Sequence, residues 1–324
     1  MNNTILYPLL FKPIYKERIW GGCKLKTLLA KDIPSQTIGE SWEIADLPND
    51  SNVIANGMLK GMCFRDALSL YKDELLGEQI VTNFGLNFPL LFKFLDAKDD
   101  LSIQLHPNDE LAKLRHNSFG KTEMWYVLQA DPEAEIIVGF KQDCSSKEYL
   151  SHLSNKTLPN ILKRIRVQPG DAFFLETGTI HAIGKGIVIA EVQQTSDITY
   201  RVYDWDRVDA QGNSRELHID LALDAINYNY VDAKCLYPKE QNQSNNIVKS
   251  TYFSTNFIPL TTTLNVQKTA ACFRVYIVTK GNVNVIINDQ VYPFKLGDTV
   301  LIPACIKNYK LEGQADLLEI YIEY

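Results

Sequence analysis

Residues in three short stretches have the types and spacing of a metal site. Gln104 and His106 lie two positions apart in SIQLHPND, and Lys121 and Glu123 lie two positions apart in GKTEMWYVL. Side chains two positions apart on a β-strand point to the same face. His181 ends the stretch FFLETGTIH, which is typical of a strand and a turn. Two histidines, one glutamate and one glutamine suit zinc and several other divalent metals.

The spacing of these residues alone leaves a second interpretation open. A histidine in a β-protein is usually a hydrogen-bonded core or surface residue, and dispersed ligands are a weak motif. His116, His152 and His218 lie in helical or loop contexts without partners, and we interpret them as structural or surface residues. The metal site is therefore a hypothesis at this point.

Two residues beside these candidate ligands could take part in proton transfer. Lys121 would feel a positive metal, which favours its neutral form and lowers its pKa. Glu191, in the stretch AEVQQTSD, could serve as a general base. Each of them could instead form a surface or cross-strand ion pair.

The segment TYRVYDWDR (199–207) is a candidate for binding an anion. Thr199 and Arg201 share a strand face with a tyrosine, and Arg207 follows beyond a turn. An arginine flanked by a hydroxyl and a phenol suits an oxyanion or a phosphate. The concentration of such charged and polar residues near the candidate ligands favours one common site.

Short runs of β-forming residues between turn residues dominate the chain and predict a mainly β protein, built as barrels or sandwiches. The predicted strands are Leu90–Leu95, Ser102–His106, Glu123–Leu128, Glu135–Phe140, Ala172–Leu175, Gly186–Val192, Ile198–Tyr203, Phe273–Thr279, Val283–Ile287, Thr299–Ile302 and Leu317–Ile322. The few predicted helices are Phe64–Tyr71, Asp109–His116, Ser145–Ser151 and Arg215–Ile226. The polar segment Pro238–Ser250 predicts a linker.

A weak internal repeat suggests two related barrels. QPGDAFFLETGTIHAI (168–183) is similar to KLGDTVLIPACIKNYK (295–310), with Gly-Asp, an apolar strand and a turn of small residues in both. When Asp171 is set against Asp298, His181 falls opposite Asn308. The second copy lacks the histidine, so only the first barrel could hold a metal.

Composition limits the possible partners and compartments. The chain has 324 residues and a net charge of −6, which argues against nucleic acid as a partner. Its 6 cysteines contain no CxxC pair and predict free thiols in a reducing compartment. The apolar stretch Ile5–Phe11 is a poor signal peptide, and no apolar run approaches a membrane span. We therefore expect a cytoplasmic protein that contacts no membrane.

The chain resembles the type I phosphomannose isomerases over roughly residues 8 to 322. Together, in this order, the matching stretches are highly specific for that family. They are ERIWGG (17–22), GESWEI (39–44), PLLFKFLDAKDDLSIQLHPND (89–109), GKTEMWYVL (120–128), VQPGDAFFLETGTIHAIGKG (167–186) and EVQQTSDITYRVYDWDR (191–207).

The resemblance implies two cupin-type (jelly-roll) β-barrels in the compact bacterial form, with few helices. An N-terminal catalytic domain would span residues 1–237, including a short helical segment at about 213–228. A linker would follow at 238–250, and a C-terminal cupin-like domain without metal ligands at 251–324. Longer family members carry an extra helical domain, for which this chain leaves room only for a minimal insertion.

The resemblance also implies the roles of the site residues. One zinc ion per chain would be bound by Gln104, His106, Glu123 and His181. The catalytic residues would be Arg201, Glu191 and Lys121. The substrate-binding residues would be Ser102, Lys93, Trp20 and Arg207, the last standing where longer members carry a lysine.

The implied reaction is the interconversion of mannose 6-phosphate and fructose 6-phosphate through an enediol, by a monomer or a homodimer. Two alternatives use the same scaffold. Two histidines and a carboxylate also form the facial triad of non-haem iron oxygenases, although Gln104 and the basic residues argue against this. The protein could also be a non-catalytic module that binds a sugar phosphate, with a closed structural metal site.

Overall fold

The computed structural model describes residues 6–208, 211–268 and 272–323, so the predicted domain ends at residues 1 and 324, like Ile5, lie outside it. The helices in these ranges are α1 (Lys24–Leu29), α2 (Phe64–Leu76), α3 (Glu78–Phe84), α4 (Asp109–His116), α5 (Ser146–Ser154) and α6 (Ile219–Leu223), with a 3-10 turn at Leu158–Asn160. The strands are β1 (Leu9–Lys12), β2 (Ile14–Gly22), β3 (Ile38–Ile44), β4 (Asp46–Leu47), β5 (Asp50–Ser51), β6 (Val53–Ile54), β7 (Leu90–Ala97), β8 (Ile103–Leu105), β9 (Glu123–Ala130), β10 (Glu135–Phe140), β11 (Leu162–Arg166), β12 (Ala172–Leu175), β13 (His181–Ile183), β14 (Ile187–Gln194), β15 (Tyr200–Tyr203), β16 (Lys234–Cys235), β17 (Asn245–Lys249), β18 (Ser254–Leu260), β19 (Thr263–Gln267), β20 (Arg274–Ile287), β21 (Gln290–Lys295), β22 (Thr299–Ile302) and β23 (Asn308–Tyr321).

Two antiparallel sheets pack face to face in the N-terminal part. The larger sheet has the strand order β16-β12-β9-β14-β7-β3-β2, and the smaller one has the order β11-β10-β13-β8-β15. Alternate residues of both sheets point inward, so Trp125 and Ile189 of the larger sheet share a core with Ile136 and Val138 of the smaller one. The candidate site residues lie on strands of both sheets, around this core.

One folded sheet forms most of the C-terminal part. Its path is β17-β18-β23-β20-β22-β1-β6, with β19 attached to β23 and β21 attached to β20. The long strand β23 pairs with β18 along its second half and with β19 along its first half. The sheet thereby wraps around a core that includes Val285, Leu311 and Leu317. The prediction of a mainly β fold with few helices is confirmed.

The N-terminal and C-terminal parts are joined by strand pairing and side-chain packing, and not by a linker alone. Strand β1 pairs with β22, with Leu9 opposite Leu301. Phe88 and Phe273, from the two parts, pack with their ring centroids 4.9 Å apart in the largest core cluster. The segment 238–250, which we predicted as a linker, contains strand β17. The polar side chain of Asn245 belongs to this structure, because its amide donates to the backbone oxygen of Phe257.

Helix caps explain why α4 and α5 lie where the sequence places them. The side chain of Asn108 accepts a hydrogen bond from the backbone N–H of Leu111, and Ser145 accepts one from Glu148. The helix predicted over Arg215–Ile226 is shorter, because the backbone of His218 instead donates to the backbone oxygen of Arg201 on β15. Among the described residues between 211 and 237, α6 is the only helix, as expected for the minimal insertion.

Two findings concern the helices and the thiols of the described residues. None of the helices in the described ranges is both long and apolar enough to cross a membrane. All six cysteines lie in described segments and are free thiols.

Candidate active site

Strand β8 lies at the centre of the candidate site. It pairs with β13 on one side and with β15 on the other, so that Gln104 lies opposite both His181 and Arg201. Strand β9 begins at Glu123 and contributes that side chain from the larger sheet. Residues that are far apart in the sequence therefore meet because the two sheets face each other.

The side chains of His106, Glu123 and His181 form a buried cluster whose possible ligand atoms all lie within 4.8 Å of one another. His106 Nε2 is 3.4 Å from Glu123 Oε2, and His181 Nε2 is 3.4 Å from Glu123 Oε1. The Gln104 amide reaches to 3.5 Å from His181 Nε2. The four residues predicted as ligands are thus brought together.

The hydrogen bonds around this cluster fit a metal ion. The Nδ1 atom of His106 is 2.7 Å from the backbone oxygen of Ile198, and that of His181 is 2.9 Å from the backbone oxygen of Thr179. A carbonyl can only accept, so each Nδ1 carries the proton and each Nε2 presents a lone pair to the cluster. Glu123 Oε1 is buried without a hydrogen-bond donor. Such an orphaned acceptor among two imidazole lone pairs suits a divalent cation.

Electrostatics keep the cluster in the protonation state that a metal requires. Burial, together with the positive Lys121, lowers the pKa of His106 to about 4. Burial likewise lowers the pKa of His181. Burial alone would raise the pKa of Glu123, but Lys121 and the two histidines outweigh it and hold that pKa well below its usual value. Neutral imidazoles and an ionised carboxylate result.

Lys121 lies among carboxylates as well as beside the candidate metal ligands. Its Nζ donates to Glu123 Oε2 at 2.5 Å and lies 3.0 Å from His106 Nε2. Burial alone would lower the pKa of Lys121, but the Glu123 and Glu191 carboxylates outweigh burial and raise it. The sequence argument considered only a neighbouring cation, whereas the structure surrounds the ammonium with carboxylates.

Glu191 lies on the larger sheet with both carboxylate oxygens held. Trp125 Nε1 donates to Oε2 at 2.9 Å, and Lys93 Nζ lies 3.2 Å from Oε1. Glu40 continues this network, at 3.9 Å from Lys93 Nζ. Arg18 Nε donates to the Glu40 carboxylate at 2.6 Å. The carboxylate of Glu191 is therefore oriented, a condition for proton transfer at a defined atom.

Three arginines lie close together at one side of the site, and two of them bind Asp204. Arg215 donates to both oxygens of Asp204, at 2.7 and 2.5 Å, and Arg207 donates to one of them at 2.7 Å. Arg201 Nε donates to Ser102 Oγ at 3.3 Å. Burial and the nearby Arg215 lower the pKa of Arg201. Arg201 and Arg215 both line the cavity, so their guanidinium groups could attract an anion there.

A cavity of about 440 Å³ connects these groups. Ser102, Trp20, Lys93, Glu191, Lys121, Gln104, His181 and Arg201 all line it, with His106 and Glu123 buried behind. Arg207, a predicted substrate-binding residue, is not among the described residues of the lining, whereas Arg215 is. The sequence reasoning missed Arg18, Glu40, Trp42 and Arg215 as lining residues, although the first three lie in or beside the stretches ERIWGG and GESWEI.

The chain is similar to known isomerases over nearly its whole length. It is 39% identical over 316 residues to mannose-6-phosphate isomerase ManA of Bacillus subtilis, covering 96% of this chain and 98% of that protein. This chain belongs to the type I phosphomannose isomerase family. The family models agree: the type I phosphomannose isomerase catalytic domain matches residues 9–159, and the mannose-6-phosphate isomerase cupin domain matches residues 243–322.

Further relatives support the assignment of this chain to the phosphomannose isomerase family. The mannose-6-phosphate isomerase of Streptococcus mutans is 37% identical, covering 96% of this chain and 97% of that protein. The crystal structure of the Bacillus subtilis mannose 6-phosphate isomerase matches with a TM-score of 0.90 at 33% identity, over 98% of this chain and 100% of that one. A variant of the Salmonella typhimurium enzyme, 17% identical over 98% of this chain and 100% of that one, has a TM-score of 0.82 and shows the shared fold alone. The predicted cupin-type fold is thereby confirmed.

Proposed function

We propose that this protein is a zinc-dependent isomerase that interconverts mannose 6-phosphate and fructose 6-phosphate by proton transfer through an enediol. The observation that carries the proposal is the buried cluster of His106, Glu123 and His181 beside a cavity edged by arginines. Relatives that bear the name of this activity share the full length of the chain.

Four residues would hold the metal: Gln104, His106, Glu123 and His181. When bound, zinc supplies a Lewis acid that polarises the sugar oxygens at C1 and C2. Lys121, whose ammonium lies at the edge of the cluster, donates hydrogen bonds to negative charge that develops on those oxygens.

The transfer of a proton between C1 and C2 requires a base within the cavity. Glu191 is the first candidate, since its carboxylate lines the cavity and is oriented by Trp125 and Lys93. It would remove the proton from one carbon and return it to the other, while a second proton passes from the C2 oxygen to the C1 oxygen in the direction of fructose 6-phosphate. Lys121 and a metal-bound water are the rival bases.

The phosphate would bind at the arginine side of the cavity. Arg201 and Arg215 line it and bring guanidinium donors, and Ser102 adds a hydroxyl. Asp204 fixes Arg215 by two hydrogen bonds, so its planar group is oriented before the substrate arrives. Trp20 and Lys93 complete the wall along which the sugar would lie.

The first test is a coupled assay of the purified protein with mannose 6-phosphate, before and after chelation and after addition of zinc. We expect formation of fructose 6-phosphate that chelation abolishes and zinc restores. Absence of turnover despite bound zinc and tight substrate binding would instead support the binding-module alternative. Oxygen uptake would support the oxygenase alternative, which the family membership disfavours.

The role of Glu191 can be separated from metal binding. Glu191→Gln keeps the size of the side chain and its hydrogen bond with Trp125 but removes the base. We expect kcat to fall by about 100- to 10,000-fold, with zinc content near that of the wild type. Retention of wild-type kcat would transfer the role of the base to Lys121 or to water.

Arg215 and Arg207 form a matched pair for the phosphate site, because both bind Asp204 and only Arg215 lines the cavity. Arg215→Met should raise KM for mannose 6-phosphate by roughly tenfold, through loss of a charge-assisted contact. Arg207→Met should raise KM less. The opposite order would return the predicted substrate-binding role to Arg207.

We also propose the setting that the sequence predicts, a cytoplasmic enzyme that acts as a monomer or a homodimer. The free thiols of all six cysteines support a reducing compartment. Size-exclusion chromatography with light scattering distinguishes the two oligomeric states.

A further inference from the structure

The short segment that carries Lys121 is held by side chains on both sides of that residue. The backbone N–H of Gly120 donates to Asp109 Oδ1 at 2.8 Å, and the backbone N–H of Thr122 donates to Gln194 Oε1 at 2.9 Å. A Cβ atom at Gly120 would lie 2.8 Å from the backbone nitrogen of Asp109, so only glycine allows this approach. Lys121 therefore projects from a clamped backbone.

Asp109 is the centre of this clamp. Its Oδ1 also accepts from Gln194 Nε2 at 3.1 Å, which links the two flanks of Lys121. Its Oδ2 accepts from the hydroxyl of Tyr252 at 2.9 Å, across 143 positions of sequence. The same hydroxyl also interacts with the side chain of Thr122. The phenol thus contacts Thr122 directly and Gly120 through Asp109.

Tyr252 belongs to the C-terminal part of the chain, in the turn between β17 and β18. Ser250 Oγ accepts from the backbone N–H groups of Tyr252 and Phe253, at 3.2 and 3.1 Å, which fixes this turn. The tyrosine is therefore presented by a rigid element of the domain that lacks the metal ligands. The hydroxyl of this tyrosine contacts the segment that carries Lys121.

Lys121 has little positional freedom if it is to act. Its Nζ must reach both the Glu123 carboxylate, at 2.5 Å, and the reacting oxygens in the cavity. A displacement of about 1 Å in a catalytic group can cost about 100-fold in rate. Rigid support of the backbone at residues 120–122 would therefore help to keep Nζ in position.

We propose that Tyr252 of the C-terminal domain is a positioning residue for Lys121, acting through Asp109. This inference rests on the proposed function, in which Lys121 donates to the reacting oxygens. It gives the metal-free domain a part in the reaction as the support of the active-site lysine.

The test compares Tyr252→Phe with Tyr237→Phe in the full-length, zinc-loaded protein. Tyr237 is the matched control, since its hydroxyl also makes two contacts at the boundary of the two parts, with the backbone oxygen of Gly170 and with the side chain of Tyr126. We expect Tyr252→Phe to lower kcat roughly tenfold, with KM and zinc content unchanged. Tyr237→Phe should keep wild-type kcat, even if both variants lose some thermal stability.

A double-mutant cycle with Asp109→Ala shows whether the effect passes through Asp109. We expect the double variant to lose no more kcat than Asp109→Ala alone. Losses that multiply, an equal loss in Tyr237→Phe, or unchanged kcat in Tyr252→Phe would each overturn the inference. An inactive wild-type protein would refute the proposed function instead, so the two failures are distinguishable.

Discussion

The two β-domains contain the same strand-and-turn element, but only one of them places a histidine on it. Asp171 and Asp298 each accept a hydrogen bond from a backbone N–H three residues earlier, at 3.1 and 2.8 Å. At the matching position further along, His181 is buried beside His106 and Glu123, whereas Asn308 is exposed. The same backbone motif therefore supports a site in one domain and only strand pairing in the other.

Two buried carboxylates, Glu319 and Glu123, show the same contrast between the two domains. In the C-terminal domain, Glu319 Oε1 accepts from Arg274 at 2.6 Å and from the hydroxyl of Tyr276 at 2.9 Å, and Oε2 accepts from two neutral side chains. In the N-terminal domain, Glu123 has a buried oxygen without a donor. A carboxylate with complete hydrogen bonding is structural, while an incomplete one among imidazoles is prepared for a cation.

The largest expected effect comes from the paired histidine and asparagine. His181→Ala should lose zinc and reduce activity by at least roughly 1000-fold, because a metal ligand is removed. Asn308→Ala, at the matching position of the other domain, should keep both. Metal analysis and the coupled assay measure the two effects. A metal-free His181→Ala variant that still turned over would end the zinc model.

The paired glutamates should separate stability from metal binding. Glu319→Gln leaves the Arg274 guanidinium buried without its counter-charge, so the free energy of unfolding should fall by about 3–5 kcal/mol. The zinc content and the kcat of the folded variant should remain at wild-type values. Glu123→Gln should lose zinc and activity. Denaturant titration beside metal analysis checks both variants, and loss of zinc from Glu319→Gln would contradict the division of roles between the domains.

The smallest expected effect concerns acid stability and a carboxylate of the catalytic cavity. Burial alone would raise the pKa of Glu40, but Lys93 and Arg18 outweigh it and lower that pKa from 4.5 to about 2. Because the folded pKa lies below the unfolded one, the stabilisation is present above pH 4.5 and is lost as the pH falls towards 2. Glu40→Gln should therefore flatten the decline of the melting temperature in this range. An unchanged slope would assign acid sensitivity to other carboxylates, such as Glu319.

Elements whose signals are local were predicted well. The bounds of α4, β10, β12 and β22 agree with the sequence-based bounds, because caps, turn residues and β-branched runs act within a few positions. Segments that depend on distant partners were predicted less well. The helix predicted at 215–226 is shorter, because the backbone near its predicted start bonds to β15. The segment 238–250 contains strand β17, because this strand pairs with β18.

The residue types of the site were also evident from the sequence, but their surroundings were not. The pattern of Gln104, His106, Glu123 and His181 predicted a metal site, and the four side chains meet. The sequence did not show that Arg215 would line the cavity in place of Arg207, or that carboxylates would raise the pKa of Lys121. Both features depend on which side chains pack around these residues in the tertiary structure.

By itself the sequence determined the mainly β class, the segments with strong local signals, the chemistry of the candidate ligands and the family to which the chain belongs. Only the tertiary structure decided that Gln104 lies opposite His181, that Asp204 fixes Arg215, and that Tyr252 reaches the segment around Lys121. The physical reason is that side-chain alternation and capping are local, whereas strand register and domain contacts are set by burial of the whole core.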